Sequence, residues 1–246
     1  RGTCVTRRFV RVDVATMWTS PDAPRDRDQP AVRDVPDVAS WARSLDAAAR
    51  MDLHGRTLTQ LLRGEPVDVL TKTAGWVEVA APWQPAPEHH DGYHGWVRAA
   101  HLGDGSRPGG SDPQPEPAVA ADRLAIVDEA RAFLGLQYVW GGMSPWGLDC
   151  SGLVHLTYRR AGVVIPRDAY AQHAAATAVP LGAEQPGDLY FFARDDGRVF
   201  HVGFVTGPGR MLHAPETGGG GLIEEVPLPP ERRARLAAAG RFLVGS

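Results

Sequence analysis

Residues 148–154 read Leu-Asp-Cys-Ser-Gly-Leu-Val, and the fold of the C-terminal half turns on how this stretch is taken. Counting from Cys150, the residues Leu153, Val154, Thr157, Tyr158 and Ala161 recur at the spacing of one helical face. Cys150 then lies in the first turn, where Asp149 or Ser151 can cap the free backbone N–H groups. The positive end of a helix favours thiolate over thiol, so the spacing predicts a reactive Cys150 that alkylates faster than Cys4 at mildly acidic pH. A buried structural cysteine fits the position alone equally well.

Two histidines favour the chemical reading. In Val199–Val205, His201 shares a strand face with Gly203 and Val205, while Phe200, Val202 and Phe204 take the other. Aromatics facing the core leave His201 for an open site on the opposite face. Thr206-Gly207-Pro208-Gly209 is a turn signal, and Met211-Leu212-His213-Ala214 is the return strand. A hairpin centred on Gly207 makes His201 and His213 direct cross-strand partners, with Cβ atoms roughly 5 Å apart. The result is a nucleophile, Cys150, a general base, His201, and an orienting group, His213. The Cys150 N–H and the Tyr138 hydroxyl are candidates for the oxyanion hole.

Zinc is the competing chemistry for one Cys and two His. The chain has no Cys-x-x-Cys and no His-Glu-x-x-His, so no metal is expected. His89-His90-Asp91-Gly92-Tyr93-His94 reads as a solvated loop rather than a metal patch. His155 is expected at a surface or half-buried position. Arg232, Arg233 and Arg235 are too few, and too close to Glu231, for a nucleic-acid patch.

Around this centre the C-terminal part reads as α+β. A helix over Asp122–Leu134 places Leu124, Val127, Ala130 and Leu134 on one face and stops at Gly135. After the Cys150 helix come strands at Gly187–Ala193, Val199–Thr206, Arg210–Ala214 and Leu222–Val226, an order that excludes a parallel βαβ sheet. Gly103–Pro117 is Gly, Pro, Ser and acid without apolar period, so a linker is placed at 104–121, between domains at 1–103 and 122–246. The N-terminal part alternates at Phe9–Val14, Val67–Leu70, Gly75–Val79 and Gly95–Val97, which predicts a small all-β barrel. An insertion at about 21–52 interrupts it, with a helix over Asp37–Met51 burying Val38, Trp41, Leu45 and Ala48.

Composition sets the limits. The chain has 246 residues, 43% hydrophobic and 22% charged, which argues against disorder, collagen and coiled coil. Lys plus Arg number 26 against 29 Asp plus Glu, so no basic excess draws the chain to nucleic acid. No apolar run of about eighteen residues predicts a membrane span. Two cysteines allow at most one disulfide, so the fold rests on its apolar cores. The opening Arg-Gly-Thr-Cys has no initiator Met and no apolar leader, the look of a trimmed end, which leaves a cytoplasmic and an exported location both open.

The blocks Tyr138-Val139-Trp140-Gly141-Gly142, Leu148–Val154, Gly187-Asp188-Leu189, His201-Val202-Gly203 and Met211–Ala214 resemble the NlpC-type peptidases of bacterial cell walls. The resemblance implies a papain-like catalytic domain without cofactor, a helix bundle on an antiparallel sheet. It assigns Cys150 as nucleophile, His201 as base and His213 as orienter. Leu61–Val67, Gly75–Val79 and Gly92–Val97 resemble a bacterial SH3-like barrel. Together they look like the γ-D-glutamyl-L-diamino acid endopeptidases, which cut murein peptides bearing a free N-terminal L-Ala. That resemblance implies an ammonium clamp from Glu65, Tyr93 and Asp168, with Trp140, Asp149 and Ser151 as further substrate-binding residues. Ala169 departs from the Ser expected beside that Asp. A peptidoglycan-binding module and an amidase or acyltransferase on the same scaffold are the alternatives.

Overall fold

The computed structural model describes residues 6–104, 122–216 and 219–243. Cys4 and nearly all of the expected linker lie outside them. The chain divides into two units, Arg1–Gln114 with Val139–Gly147, and Pro115–Tyr138 with Leu148–Ser246. The run Val139–Gly147, placed by sequence in the C-terminal domain, therefore groups with the first unit.

The first unit begins with β1 (Thr6–Val10) and β2 (Val14–Trp18). Phe9–Val14, expected as one strand, is split because β1 pairs with β4 and β7 while β2 pairs with β3 and β6. The insertion follows as α1 (Gln29–Val32), α2 (Val38–Ser44) and α3 (Ala47–Met51). The single helix expected over Asp37–Met51 breaks at Leu45, whose backbone is extended at φ −81° and ψ 109°. Asp46 then caps a new helix through the Ala49 N–H at 2.7 Å. The break shifts the helical phase, so Ala49 is buried and Ala48, expected inside, is exposed. Val38, Trp41 and Leu45 are buried as expected, packed with Trp18 and Leu53.

The strands β3 (Thr57–Leu62), β4 (Pro66–Thr73), β5 (Trp76–Ala81), β6 (Tyr93–Arg98) and β7 (Leu102–Gly103) complete an antiparallel sheet ordered β3-β2-β6-β5-β4-β1-β7. Its core is Val10, Ala15, Met17, Leu61, Val67, Val77, Val79 and Val97. No ladder among the described residues joins β3 to β7, so where a barrel is expected the strands form an SH3-like sheet with β3 and β7 at its edges. A two-stranded hairpin, β8 (Met143–Ser144) and β9 (Gly147–Leu148), lies farther along the chain.

The second unit sets helices against one antiparallel sheet. Its helices are α4 (Arg123–Arg131), α5 (Cys150–Arg160) and α6 (Ala169–Ala175), with the single turn α7 (Pro230–Arg233) near the end. The strands are β10 (Thr177–Val179), β11 (Leu189–Ala193), β12 (Val199–Gly207), β13 (Arg210–His213), β14 (Glu224–Pro227) and β15 (Leu236–Arg241). They run β10-β15-β11-β12-β13-β14. Asp122 caps α4, but the helix buries Ile126, Val127 and Ala130, while Leu124 and Leu134, expected on the inner face, are 65% and 44% exposed.

Both faces of this sheet are covered. Tyr158 of α5 stacks on Phe204 and His173 of α6 meets Phe191 edge-on, while Tyr190, Phe192, Val205, Met211 and Leu228 form a cluster on the other side. His201 therefore faces an enclosed site rather than the open one expected. On β15 the neighbours leave no room at Gly240. A Cβ at Gly240 would stand 2.7 Å from the Ala176 Cβ and 3.0 Å from the Phe191 ring. None of the helices described is long and apolar enough to cross a membrane.

Candidate active site

The helix α5 runs through the middle of the second unit, and ten of its eleven residues are buried. Its Asp149 cap accepts the Gly152 N–H at 2.6 Å and the Ser151 hydroxyl at 3.3 Å. Arg167, wholly buried, closes on the same carboxylate through Nη1 at 3.0 Å and Nη2 at 2.8 Å, and reaches Ser151 Oγ at 2.9 Å. Asp149 and Ser151 thus fix the start of the helix. An uncompensated charge here would cost about 3–5 kcal/mol. The fork on Asp149 spans eighteen residues and leaves no local pattern in the sequence.

Cys150 is 8% exposed. The backbone N–H groups of Val202 and Ser151 point at its sulfur, so the thiol lies against β12 one residue beyond His201. Burial, joined by the Asp149 charge, pushes the thiol up to about 12 against the help of those N–H groups and of Arg167. Burial thus works against the preformed thiolate expected from the helix end.

His201 and His213 meet through Nε2 and Nδ1 at 2.8 Å, their rings 5.0 Å apart and 87° to each other. The register differs from expectation. Phe204 pairs with Leu212 and Val205 with Met211, which continued sets His213 across from Gly203. A shift of two residues keeps the strand face, so the histidines are diagonal neighbours whose rings still touch. Gly203 makes this possible: a Cβ there would lie 3.0 Å from the His213 Cβ and 3.1 Å from the Leu212 carbonyl.

One proton joins the two rings. Placed on His201 Nε2, it is donated to His213 Nδ1 and leaves His201 Nδ1 a bare acceptor. His213 then carries its own proton on Nε2, 3.4 Å from a Glu224 oxygen. Burial first, then the Arg232 charge, holds His213 down to about 3 and His201 well below the ordinary histidine range. Tyr138 is buried, and burial together with Cys150, Asp149 and Glu216 keeps it a neutral phenol able to donate.

His155 corrects another expectation. It is 0% exposed, its Nδ1 faces the Pro166 carbonyl at 3.4 Å, and burial holds it down to about 4. Three imidazoles are thus buried uncharged in one unit, a pH-dependent element of stability. Below about pH 6.5 the unfolded chain binds protons that the folded chain refuses, so stability is full above that pH and lost as pH falls. By pH 5 the loss is about 2 kcal/mol per histidine, before most carboxylates titrate. Urea unfolding at pH 7 and pH 5 is expected to show it, and His155→Leu to remove about a third of the slope. Equal stability at both pH values would refute the argument.

The remaining candidates divide between the units. Asp168 is half-buried at the N-cap of α6, with its side chain not used as the cap. In the first unit Glu65 is fully buried, accepting Gln84 Nε2 at 3.2 Å, and Gln84 in turn takes the Thr59 hydroxyl at 2.7 Å. Tyr93 is partly buried against the first core, and Trp140 stacks on His54 at 3.6 Å. His89, Asp91 and His94 bring ligand atoms within 4.8 Å of one another and are the described residues best placed to hold a metal ion. The His89 and His94 rings are parallel at 3.7 Å, so their in-plane lone pairs do not converge on one point. His201 and His213 spend their facing nitrogens on each other.

Comparison with known proteins bears on this arrangement. Residues 135–227 match the NlpC/P60 family, and residues 52–102 match the bacterial dipeptidyl-peptidase Sh3 domain. A γ-D-glutamyl-L-lysine dipeptidyl-peptidase of Bacillus subtilis (strain 168) is 30% identical over 83% of this chain and 88% of that protein. The chain belongs to the NlpC/P60 family. The protein of the same name from Bacillus cereus is 29% identical over 96% of this chain and 91% of its own length. A crystal structure of an NlpC/P60 family protein from Bacillus cereus superposes with a TM-score of 0.88 at 27% identity, covering 97% of this chain and all of that one. The fold is papain-like α+β with an SH3-like domain before it, and the chain is a peptidase.

Proposed function

We propose that this peptidase hydrolyses the bond between γ-D-glutamate and the diamino acid of murein stem peptides that carry a free N-terminal L-Ala. The observation that carries the chemistry is the 2.8 Å contact between His201 and His213 beside a thiol at a helix start. The specificity is supported by the two Bacillus relatives named γ-D-glutamyl-L-lysine dipeptidyl-peptidase.

In this reading His201 Nδ1 takes the thiol proton as Cys150 Sγ attacks the scissile carbonyl. The oxyanion is held by the Cys150 N–H and the Tyr138 hydroxyl. His201, now imidazolium and steadied by His213, gives its proton to the leaving amine and a thioester remains. Water, deprotonated by His201, attacks the thioester and releases the acid and the thiol. The substrate ammonium, once removed from water, needs a carboxylate partner, and Asp168 is the clamp residue of this unit. Asp149 and Ser151 act through the helix start they hold.

The test is mass spectrometry of L-Ala-γ-D-Glu-meso-diaminopimelate, its N-acetylated twin and a Cys150→Ala control. Release of L-Ala-γ-D-Glu from the free peptide alone, by the unmutated protein alone, is expected. Cleavage of both peptides would remove the clamp and keep the peptidase. Cleavage of neither would overturn the assignment.

A further inference from the structure

Arg232, on the single turn α7, takes no part in the chemistry above. Its guanidinium carbon lies 5.9 Å from the Phe192 ring and 6.0 Å from the Phe200 ring. Those two rings stand 5.6 Å and 6.3 Å from the His201 imidazole. The side chain is half-buried, yet among the described residues no hydrogen bond or ion pair reaches it. Arg167, by contrast, is wholly buried and closes on Asp149 with two prongs, and Arg241 makes the same fork on Asp188.

An arginine so placed works against the proposed base. Its charge disfavours protonation of both His201 and His213, whereas the base must become imidazolium during the reaction. Five N–H donors beside the histidine pair, without an anion, also carry a desolvation cost. The Cys150 sulfur, then Glu231, Glu216 and Glu224, lie within its field, and among the described residues none of these carboxylates forms an ion pair with it. Both penalties vanish when an anion docks on the guanidinium.

We propose that Arg232 is the binding site for a carboxylate of the peptide substrate adjoining the scissile bond. This rests on the murein-peptide reading above and extends it. Docking would neutralise the guanidinium, so that the substrate's own charge removes the repulsion on His201 as the complex forms. Two carboxylates meet the chemistry: the α-carboxylate of D-glutamate and that of the diamino acid.

Three peptides separate them: L-Ala-γ-D-Glu-L-Lys, its D-isoglutamine analogue and its C-terminal lysinamide. Arg232→Met keeps the stacking length and removes the charge. It is expected to lower kcat/KM on the full acid by roughly ten- to a hundredfold, mainly through KM. On whichever amide lacks the recognised carboxylate, the same variant is expected to lose nothing or to gain. Arg232→Lys should recover part of the loss. Arg194→Ala, which removes the exposed arginine 5.2 Å over Phe200, should change nothing. An equal loss on all three peptides, or no loss on any, would overturn the proposal. If the unmutated protein cleaves none of them, the function reading fails first. The arginine site is then tested with glutarate: a thermal shift present in the unmutated protein and lost in Arg232→Met sustains it, and an identical response in both rejects it.

Discussion

Replacing His201 with Ala is expected to lower kcat/KM on a cleavable murein peptide by about three to five orders of magnitude. The reason lies at the sulfur. Burial pushes the Cys150 thiol up, so the neutral thiol is favoured at pH 7. In the proposed mechanism the proton moves during the attack, and His201 is its acceptor. Loss of His213 leaves an acceptor in place but frees its ring to turn, so His213→Ala should cost less, about ten- to a hundredfold. Iodoacetamide gives an independent reading of the same electrostatics. Alkylation of Cys150 is expected to be slow at pH 5 and to climb with pH through the alkaline range. Fast alkylation at pH 5 would show a thiolate–imidazolium pair already formed and would undo the argument.

The legible parts of this protein are those governed by short-range periodicity. Cys150, Leu153, Val154, Thr157 and Tyr158 announce α5 because one face of a helix repeats locally and Asp149 caps it. The shared face of His201 and His213 was also legible, although the register was not. A two-residue shift preserves strand parity, whereas the bulge between Val205 and Gly207 is set by the turn in three dimensions. Elements governed by distant partners were hidden. β15, Leu-Ala-Ala-Ala-Gly-Arg, has helical propensity and becomes a strand by pairing with β11 on one side and β10 on the other, partners distant in sequence. His155 looked peripheral because a helix was assumed to have a wet side, and α5 has almost none. The burial of Arg167 and Arg232 leaves no sequence signal, since a guanidinium's burial depends on what packs over it and not on its neighbours in sequence.

Gly203 is the position where backbone space and chemistry meet most closely, and Gly203→Val is expected to lower kcat by up to about a hundredfold, no more than loss of His213 itself, with KM little changed. The His213 ring reaches His201 along a diagonal that passes over residue 203. A single methyl there approaches the His213 Cβ to 3.0 Å and the Leu212 carbonyl to 3.1 Å. Gly203→Ala therefore asks the neighbours to yield by a few tenths of an ångström and should cost about tenfold. The two further carbons of Val cannot be absorbed in a strand buried on both faces, and His213 must leave its 2.8 Å contact. The loss should thus run through His213. In a His213→Ala background, where no ring remains to be displaced, Gly203→Val should add little. A full hundredfold penalty in that background would mean that the substitution distorts β12 as a whole, and the steric account of the histidine pair would fall.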